Sequence, residues 1–233
     1  MSVKPAQHDN NTEDRRLFEV PYFVNNAFVG RVDILKKMCT TIDENKSKGG
    51  SRPLVLRGLG GMGKTQLMLK YCYAHAEEYD YVFWLEVDGR AAVLDGFRNL
   101  AQTLGLNMDT ERDGENIIVW VRRWFEQHKK WLLLLDNAED MDDLFRCIPH
   151  RGGDIIMTTR NYISDEDAVV IPIHKMNVED AMLLILGSDG VPSTDSTEWK
   201  NERKIVEELD CMPLALSLVR GYITRTQTSY GDY

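Results

Sequence analysis

Residues 58–65 have the types and the spacing needed to hold a phosphate group. They read Gly-Leu-Gly-Gly-Met-Gly-Lys-Thr and satisfy the pattern G-x-x-x-x-G-K-S/T. Glycines let the main chain bend closely around phosphate oxygens with its N–H groups pointing inward. Lys64 adds a mobile positive charge for the β- and γ-phosphates, and the Thr65 hydroxyl is a ligand for Mg²⁺. The alternative interpretation is a glycine-rich turn that binds nothing.

The elements on either side of this loop favour the nucleotide-binding interpretation. An apolar run at residues 53–56 predicts a buried strand, and residues 65–78 predict a helix with one apolar face. Strand, glycine loop and helix form the order that a phosphate loop requires, and the helix adds its positive N-terminal end. The loop residues predicted to contact the nucleotide are Gly58, Gly60, Gly61, Met62, Gly63, Lys64, Thr65 and Gln66.

A second acidic signal follows the apolar run at residues 131–135, which is typical of a parallel strand buried on both faces. Asp136 ends this run, where a carboxylate can hold the Mg²⁺ shell. Thr65 and Asp136 are therefore the predicted metal ligands. The next residue is Asn137, whose amide can orient a water molecule but cannot take its proton.

Glu139 and Asp140 are nearby but one to two residues further round the turn, and two explanations for this acidic pair remain open. They can cap the N-terminus of a helix at residues 141–146, or they can take part in catalysis. Because Asn137 stands where a vigorous hydrolase has a carboxylate, we expect a protein that holds nucleotide far better than it hydrolyses it. At most it is a slow Mg²⁺-dependent ATPase.

The remaining pattern predicts an α/β fold. Strands at residues 53–56, 81–87, 131–135, 154–158 and 168–173 alternate with helices, which predicts a five-stranded parallel sheet flanked by helices. From Met176 onward three helices follow without a strand between them, and they predict a small C-terminal helical subdomain. We therefore expect a mobile polar tail at residues 1–19, a nucleotide-binding domain at 20–174 and a helical subdomain at 175–233.

Composition limits the partners. The chain has 233 residues with a formal net charge of −9, which argues against a broad nucleic-acid surface. No apolar run approaches the roughly 20 residues that span a bilayer, so we expect a cytoplasmic protein without a membrane partner. Four cysteines lie far apart without C-x-x-C spacing and predict buried free thiols rather than a zinc site or a redox pair.

Several segments, taken in order, resemble one family. These segments are Phe-Val-Gly-Arg at residues 28–31, the phosphate loop, LLLLDNAED at 132–140, IIMTTR at 155–160 and CMPLALSL at 211–218. Together they resemble the NB-ARC module of STAND-class P-loop NTPases, and the LDNAED wording is most like the NOD-like receptors of fungi. The resemblance extends from about residue 20 to the end of the chain.

The resemblance implies further contacts to ADP or ATP with Mg²⁺. It implies that Arg160, at the end of a strand, senses the γ-phosphate and acts with Lys64 and Asp136 in any catalysis. Pro213 would pack on the base beside Leu214 and tie the helical subdomain to it, although Cys211 stands where the family usually has glycine. The residues expected to border the adenine are Tyr22, Phe23, Val24, Val29 and Arg31.

The functional expectation is a molecular switch in a NOD-like receptor of innate immunity. ADP would favour a closed form, and ATP would favour an open form that self-associates through the full-length receptor. We expect winged-helix and repeat domains of the same protein to be missing from this chain. The alternative is an AAA-type ATPase with steady turnover in remodelling or loading, which Asn137 and Pro213 disfavour.

Overall fold

The computed structural model of the protein describes residues 16–48, 52–106, 116–187 and 197–231. In these ranges six strands form a sheet in the order β1-β3-β4-β5-β2-β6, and every neighbouring pair is parallel. The strands are β1 (Leu17–Glu19), β2 (Leu54–Arg57), β3 (Tyr81–Glu86), β4 (Trp131–Ala138), β5 (Asp154–Thr159) and β6 (Val169–Pro172).

Helices cover both faces of the sheet and form a separate group after β6. A short 3-10 helix, Ala76–Glu78, continues α2, so the helix predicted at residues 65–78 is α-helical only as far as His75. The helices are α1 (Val32–Lys48), α2 (Lys64–His75), α3 (Gly89–Thr103), α4 (Asn116–Gln127), α5 (Met141–Cys147), α6 (Val178–Leu186), α7 (Thr197–Glu208) and α8 (Pro213–Thr226).

The α/β fold with a parallel sheet is confirmed, but the prediction of five strands missed β1. Leu17–Glu19 pairs with β3 at the edge of the sheet, inside the stretch that we expected to be a mobile tail up to residue 19. Three residues are too few to show an alternating pattern, and their extended conformation is stabilised by pairing with β3. Residues 1–15 of the expected tail lie outside the described residues.

Alternate side chains of β4 supply the two main cores. Leu133 and Leu135 pack towards α3, α4 and α5, whereas Leu132 and Leu134 pack towards α1 and α2. All four leucines are fully buried, as the continuous apolar run predicted. This double burial fixes β4 firmly and therefore fixes the residues at its carboxyl end.

The helices α6, α7 and α8 enclose a core of their own. Ala181 and Ile185 of α6 meet Val206 of α7 and Leu216 of α8, and all four side chains are buried. Asn177 begins this part by capping α6, since its side chain accepts a hydrogen bond from the Asp180 N–H. The helical subdomain therefore has its own packed interior.

The carboxyl ends of the strands meet at one edge of the sheet, and the candidate residues lie there. The phosphate loop follows β2, Glu86 ends β3, and Arg160 follows β5. In β4 the register shifts between Leu135 and Ala138, where Asn137 has a left-handed φ of 60°. The Asn137 N–H donates to Thr158 Oγ1 at 2.9 Å, which holds this irregularity against β5.

The four cysteines are free thiols. Across the described ranges, no helix has the length and apolar character to cross a membrane.

Candidate nucleotide-binding site

The phosphate loop takes a path that requires glycine at particular positions. Gly61 and Gly63 have φ angles of 77° and 84°, in the left-handed region that other residues rarely adopt. At Gly58 a Cβ atom would lie 2.3 Å from the Ile173 carbonyl oxygen, so a side chain has no room there. α2 begins directly after Gly63, and its first N–H groups point towards the loop.

Lys64 curls back over the loop that precedes it. Its Nζ donates to the carbonyl oxygens of Gly58 at 2.8 Å and Leu59 at 2.9 Å. Burial lowers the pKa of Lys64, the nearby charge of Arg160 lowers it further, and the carboxylate of Asp136 opposes both effects. The ammonium group therefore lies at the loop, partly buried and near a second cation, where an anionic phosphate would stabilise its positive charge.

Thr65 and Asp136 lie together. The Thr65 hydroxyl donates to Asp136 Oδ1 at 3.0 Å and lies 3.2 Å from Oδ2, and the Thr158 hydroxyl also donates to Oδ1. A hydroxyl and a carboxylate are the hard oxygen donors that Mg²⁺ prefers, so this pair fits the ion. The described residues contain no cluster of three or more His, Cys, Asp or Glu side chains suited to a metal. Mg²⁺ in phosphate sites takes few protein ligands, so the two observations agree.

Arg160 lies beside Gly60 of the phosphate loop. Its guanidinium carbon is 3.5 Å from the position that a Cβ atom would take at Gly60. The side chain is exposed, and its charge is close enough to lower the pKa of Lys64. Two cations, Lys64 and Arg160, therefore face the same small volume above the loop.

The helical subdomain touches the phosphate loop directly. The Leu214 N–H, in the first turn of α8, donates to the Gly61 carbonyl oxygen at 3.2 Å. Pro213 starts α8 at a position where its missing N–H has no consequence. Cys211, two residues earlier, has a φ of 53°, which explains why glycine is the usual residue in the motif that it resembles.

An open cavity of about 870 Å³ is lined by the phosphate loop, the ends of β3 and β4, and α8. The buried Oε1 atom of Gln66 has no hydrogen-bond partner among the described residues. An orphaned acceptor beside a cavity is consistent with a bound ligand. The sequence-predicted residues in its lining are Tyr22, Phe23, Gly60, Gly61, Gly63, Lys64, Thr65, Gln66, Asp136, Arg160, Pro213 and Leu214.

Five predicted contact residues do not line this cavity: Val24, Val29, Arg31, Gly58 and Met62. Val29 packs against the helical core, and Met62 is buried against α1 and α2. The Arg31 guanidinium donates to the carbonyl oxygens of His174 at 2.6 Å and Met62 at 3.4 Å. Arg31 therefore joins the phosphate loop to the segment that leads into α6.

A close approach explains the glycine before Arg31. The Arg31 N–H donates to Asp180 Oδ2 at 3.1 Å, and a Cβ atom on Gly30 would lie 2.3 Å from Asp180 Cγ. Gly30 also has a φ of 70°. The Gly-Arg pair thus fastens the start of α1 to the first turn of α6.

The structure adds cavity residues that the sequence interpretation did not assign: Asn25, Leu69, Glu86, Asp88, Thr158 and Ser217. Glu86 is the Cα register partner of Asp136 on the neighbouring strand. Its signal in the sequence was a carboxylate at the carboxyl end of a predicted strand, the same signal that drew attention to Asp136. The Tyr22 hydroxyl donates to Glu86 Oε1 at 2.5 Å.

The open question about Glu139 and Asp140 is answered for Asp140. Its side chain accepts a hydrogen bond from the Asp143 N–H at 3.3 Å and caps α5. Glu139 is exposed, and neither residue lines the cavity. Helix capping is therefore the explanation for Asp140.

The fold and the phosphate loop define a P-loop NTPase. A solved structure of Cdc6p from Pyrobaculum aerophilum superposes with a TM-score of 0.61 at 12% identity, covering 91% of this chain and 66% of that one. At this identity the likeness concerns the fold alone. The NB-ARC domain family matches residues 33–184, more than half of the chain. The chain belongs to the NB-ARC family, and this fold implies nucleotide binding.

Two curated relatives are much longer than the stretch that they share with this chain. It is 23% identical over 243 residues to a nucleotide-binding leucine-rich repeat (NLR)-like protein of Hyaloscypha variabilis, covering 93% of this chain and 24% of the relative. It is also 23% identical over 221 residues to the disease resistance RPP13-like protein 3 of Arabidopsis thaliana, covering 86% of this chain and 26% of the relative. The chain thus spans about a quarter of the length of these relatives.

Proposed function

We propose that the chain is the ADP/ATP-binding switch module of a NOD-like signalling receptor. In this proposal it holds adenine nucleotide with Mg²⁺ at the phosphate loop and hydrolyses ATP slowly. ADP favours a closed resting form, and ATP favours an open form that self-associates through the complete receptor in the cytoplasm. Membership of the NB-ARC family and likeness to an NLR-like protein support this proposal.

The observation that carries the proposal is the arrangement on either side of the phosphate loop. Arg160 lies beside Gly60, whereas the Leu214 N–H of α8 bonds to the next residue, Gly61. An anion that draws Arg160 and Lys64 inward therefore acts on the same few loop atoms that contact the helical subdomain. Such shared contacts give a γ-phosphate the differential interaction that a two-state switch needs.

Slow turnover follows from Asn137. This amide lies at the end of β4, where its main chain is held in a left-handed conformation against Thr158. The amide cannot accept a proton from water, so the chain has no base at the position where a vigorous hydrolase has a carboxylate. This argues against the alternative of a steadily cycling AAA-type ATPase.

The test is the effect of Arg160→Ala on two affinities. We expect ATP binding to weaken about tenfold more than ADP binding, because one charge-assisted hydrogen bond to the γ-phosphate contributes about 1.5–3 kcal/mol. Isothermal titration calorimetry with ADP and with a non-hydrolysable ATP analogue, both with Mg²⁺, measures the two constants. Equal losses for both nucleotides would contradict the sensor role of Arg160.

Arg57→Ala is the matched control, since Arg57 is the last residue of β2 and its guanidinium lies 5.3 Å from the centre of the Tyr162 ring. Arg57 does not line the cavity, so its loss should leave the ratio of ATP to ADP affinity unchanged. The nucleotide that co-purifies with the chain, identified by anion-exchange chromatography after denaturation, shows which state is populated on isolation.

A further inference from the structure

The carboxylate of Glu86 occupies a position that neither the phosphate-loop motif nor the acidic strand motif explains. It ends β3, lines the nucleotide cavity, and is the register partner of Asp136. Three carboxylates line this cavity: Glu86, Asp88 and Asp136. Asp136 already accepts hydrogen bonds from Thr65 and Thr158, as a ligand of Mg²⁺ would be held.

Glu86 is held in place by an aromatic side chain from the segment before α1. The Tyr22 hydroxyl donates to Glu86 Oε1, which leaves the second carboxylate oxygen, Oε2, without this bond. Tyr22 is itself fixed, because its ring packs edge-on against Trp84 with centroids 5.1 Å apart. The Tyr73 hydroxyl also donates to the Tyr22 carbonyl oxygen at 2.6 Å.

Electrostatics agree with this geometry. The hydrogen bond to Glu86 raises the pKa of Tyr22, with smaller contributions from burial and from the charges of Glu86 and Asp136. Tyr22 therefore remains a neutral donor, and both carboxylates lie close enough to act on its hydroxyl. A fixed carboxylate beside the Mg²⁺ ligand is the arrangement that a group activating water requires.

We propose that Glu86 orients and deprotonates the water molecule that hydrolyses ATP in this site. It takes the role that a carboxylate at residue 137 would have, because Asn137 carries an amide there. This inference rests on the proposed ATP-binding function and names the residue behind its slow turnover. The water oxygen forms a bond to the γ-phosphorus while the bond from that phosphorus to the β,γ-bridging oxygen breaks. Glu86 accepts the proton lost by the water and later releases it to solvent, and the products are ADP and inorganic phosphate.

Tyr22 is a positioning residue in this proposal. By holding Oε1, the Tyr22 hydroxyl fixes the orientation of the Glu86 carboxylate and so of Oε2. Removing this hydroxyl should slow hydrolysis only while Glu86 is present. The segment that carries Tyr22 also carries Phe23, which lines the cavity with 92% of its side-chain surface exposed.

The experiment is single-turnover hydrolysis of radiolabelled ATP by excess protein with Mg²⁺, using the whole 233-residue chain. Glu86→Gln should slow the reaction at least about tenfold, the low end of what a general base contributes. Glu139→Gln is the matched control, because this exposed carboxylate follows β4 outside the cavity and should leave the rate within about twofold. Tyr22→Phe should slow the reaction about threefold and cause no further loss in the Glu86→Gln background.

A binding measurement separates this role from a structural one. Glu86→Gln should keep the affinity for Mg²⁺ and ADP but lose at least about fivefold in affinity for ADP with aluminium fluoride, which mimics the attacked phosphate and its water. A variant that has lost ADP binding as well is misfolded or lacks the site, and Tyr22→Phe then provides the hydrolysis test.

The outcomes distinguish the inference from the function on which it rests. Intact ADP and ATP binding with equal hydrolysis in wild type and Glu86→Gln would overturn the role of Glu86 and leave the switch standing. The role of Glu86 is likewise overturned, and the switch left standing, if the wild-type chain binds ATP but does not hydrolyse it. The same conclusion follows if Asp88→Asn abolishes hydrolysis and Glu86→Gln does not. A wild-type chain that binds no adenine nucleotide would overturn the proposed function itself.

Discussion

Asp136 and Asp154 are acidic residues on neighbouring strands, at opposite ends of the same sheet. Asp136 lies at the carboxyl end of β4, where it faces an open cavity of about 870 Å³ with Thr65 and Thr158 as hydroxyl partners. Asp154 starts β5 at the amino end and is only 5% exposed. The Tyr79 hydroxyl donates to Asp154 Oδ2 at 2.9 Å, and Lys46 Nζ lies 3.5 Å from the same oxygen.

The lysines at the two ends differ in the same way. Lys46 is paired with the carboxylates of Asp154 and Glu78, so its charge is already balanced by the protein. Lys64 donates instead to two main-chain carbonyls of the phosphate loop, beside Arg160. At the amino end the charges are paired with one another inside the fold, and at the carboxyl end they are arranged for a ligand. Substitutions at matched positions should separate these two uses.

The largest expected effect is that of Lys64→Ala. We expect ADP affinity to fall about a hundredfold, because the lysine makes charge-assisted contacts to the phosphates. Urea unfolding without nucleotide should change little, since the hydrogen bonds of Lys64 within the described part of the chain go to carbonyl oxygens of its own loop. Calorimetric titration with ADP checks the first expectation, and an unchanged affinity would remove the phosphate loop from the proposed function.

Lys46→Met should show the reverse behaviour. It leaves the buried Asp154 without its cation, and we expect the free energy of unfolding to fall by about 1 kcal/mol because Lys46 is partly exposed. ADP affinity should not change, since Lys46 lies outside the nucleotide cavity. Urea denaturation and calorimetry on the same sample test both statements, and a loss of ADP affinity would contradict the division between the two ends.

The smallest effect concerns pH and Asp154. Burial raises the pKa of Asp154 above its ordinary value of 3.8, although Lys46 and Tyr79 act in the opposite direction. The folded protein therefore holds this proton more tightly than the unfolded chain does. As pH rises from 3.8 through the raised pKa, the contribution of Asp154 to the free energy of unfolding falls, and it stays low at neutral pH.

Asp154→Asn removes this penalty and retains an oxygen that accepts the Tyr79 hydrogen bond. We expect the variant to gain up to about 1 kcal/mol over wild type at pH 7 and to gain nothing near pH 3. Urea denaturation across this pH range measures the difference, with Asp136→Asn as the comparison. If Asp154→Asn were less stable than wild type at pH 7, the ion pair with Lys46 would outweigh the cost of burial.

The sequence was most informative where one pattern decided the structure. The leucine run before Asp136 predicted a strand buried on both faces, because only a central parallel strand needs apolar residues without alternation. The phosphate loop predicted its own conformation through glycines whose positive φ angles now appear at Gly61 and Gly63. These features depend on local chemistry and are readable without the rest of the fold.

Features that depend on distant partners were not readable. β1 exists because β3 offers it an edge, and the sequence around Leu17–Glu19 does not show this. For Arg31 the sequence predicted a place beside the adenine, but it did not show that the guanidinium contacts the carbonyl oxygens of His174 and Met62. Glu86 joins Asp136 only through the strand order β3-β4, which no motif in the chain prescribes.

The hydrogen bond between Leu214 and Gly61 joins two main-chain groups, and this has an evolutionary consequence. Pro213 has no N–H, so the Leu214 N–H is the first donor that α8 can offer to a neighbour, and the phosphate loop supplies the acceptor. Such a joint depends on no side chain, so Leu218 and Tyr222, which are exposed on α8, can change without breaking it. A lineage could therefore acquire new partners on the exposed side of α8 without disturbing how the helical part is seated on the loop.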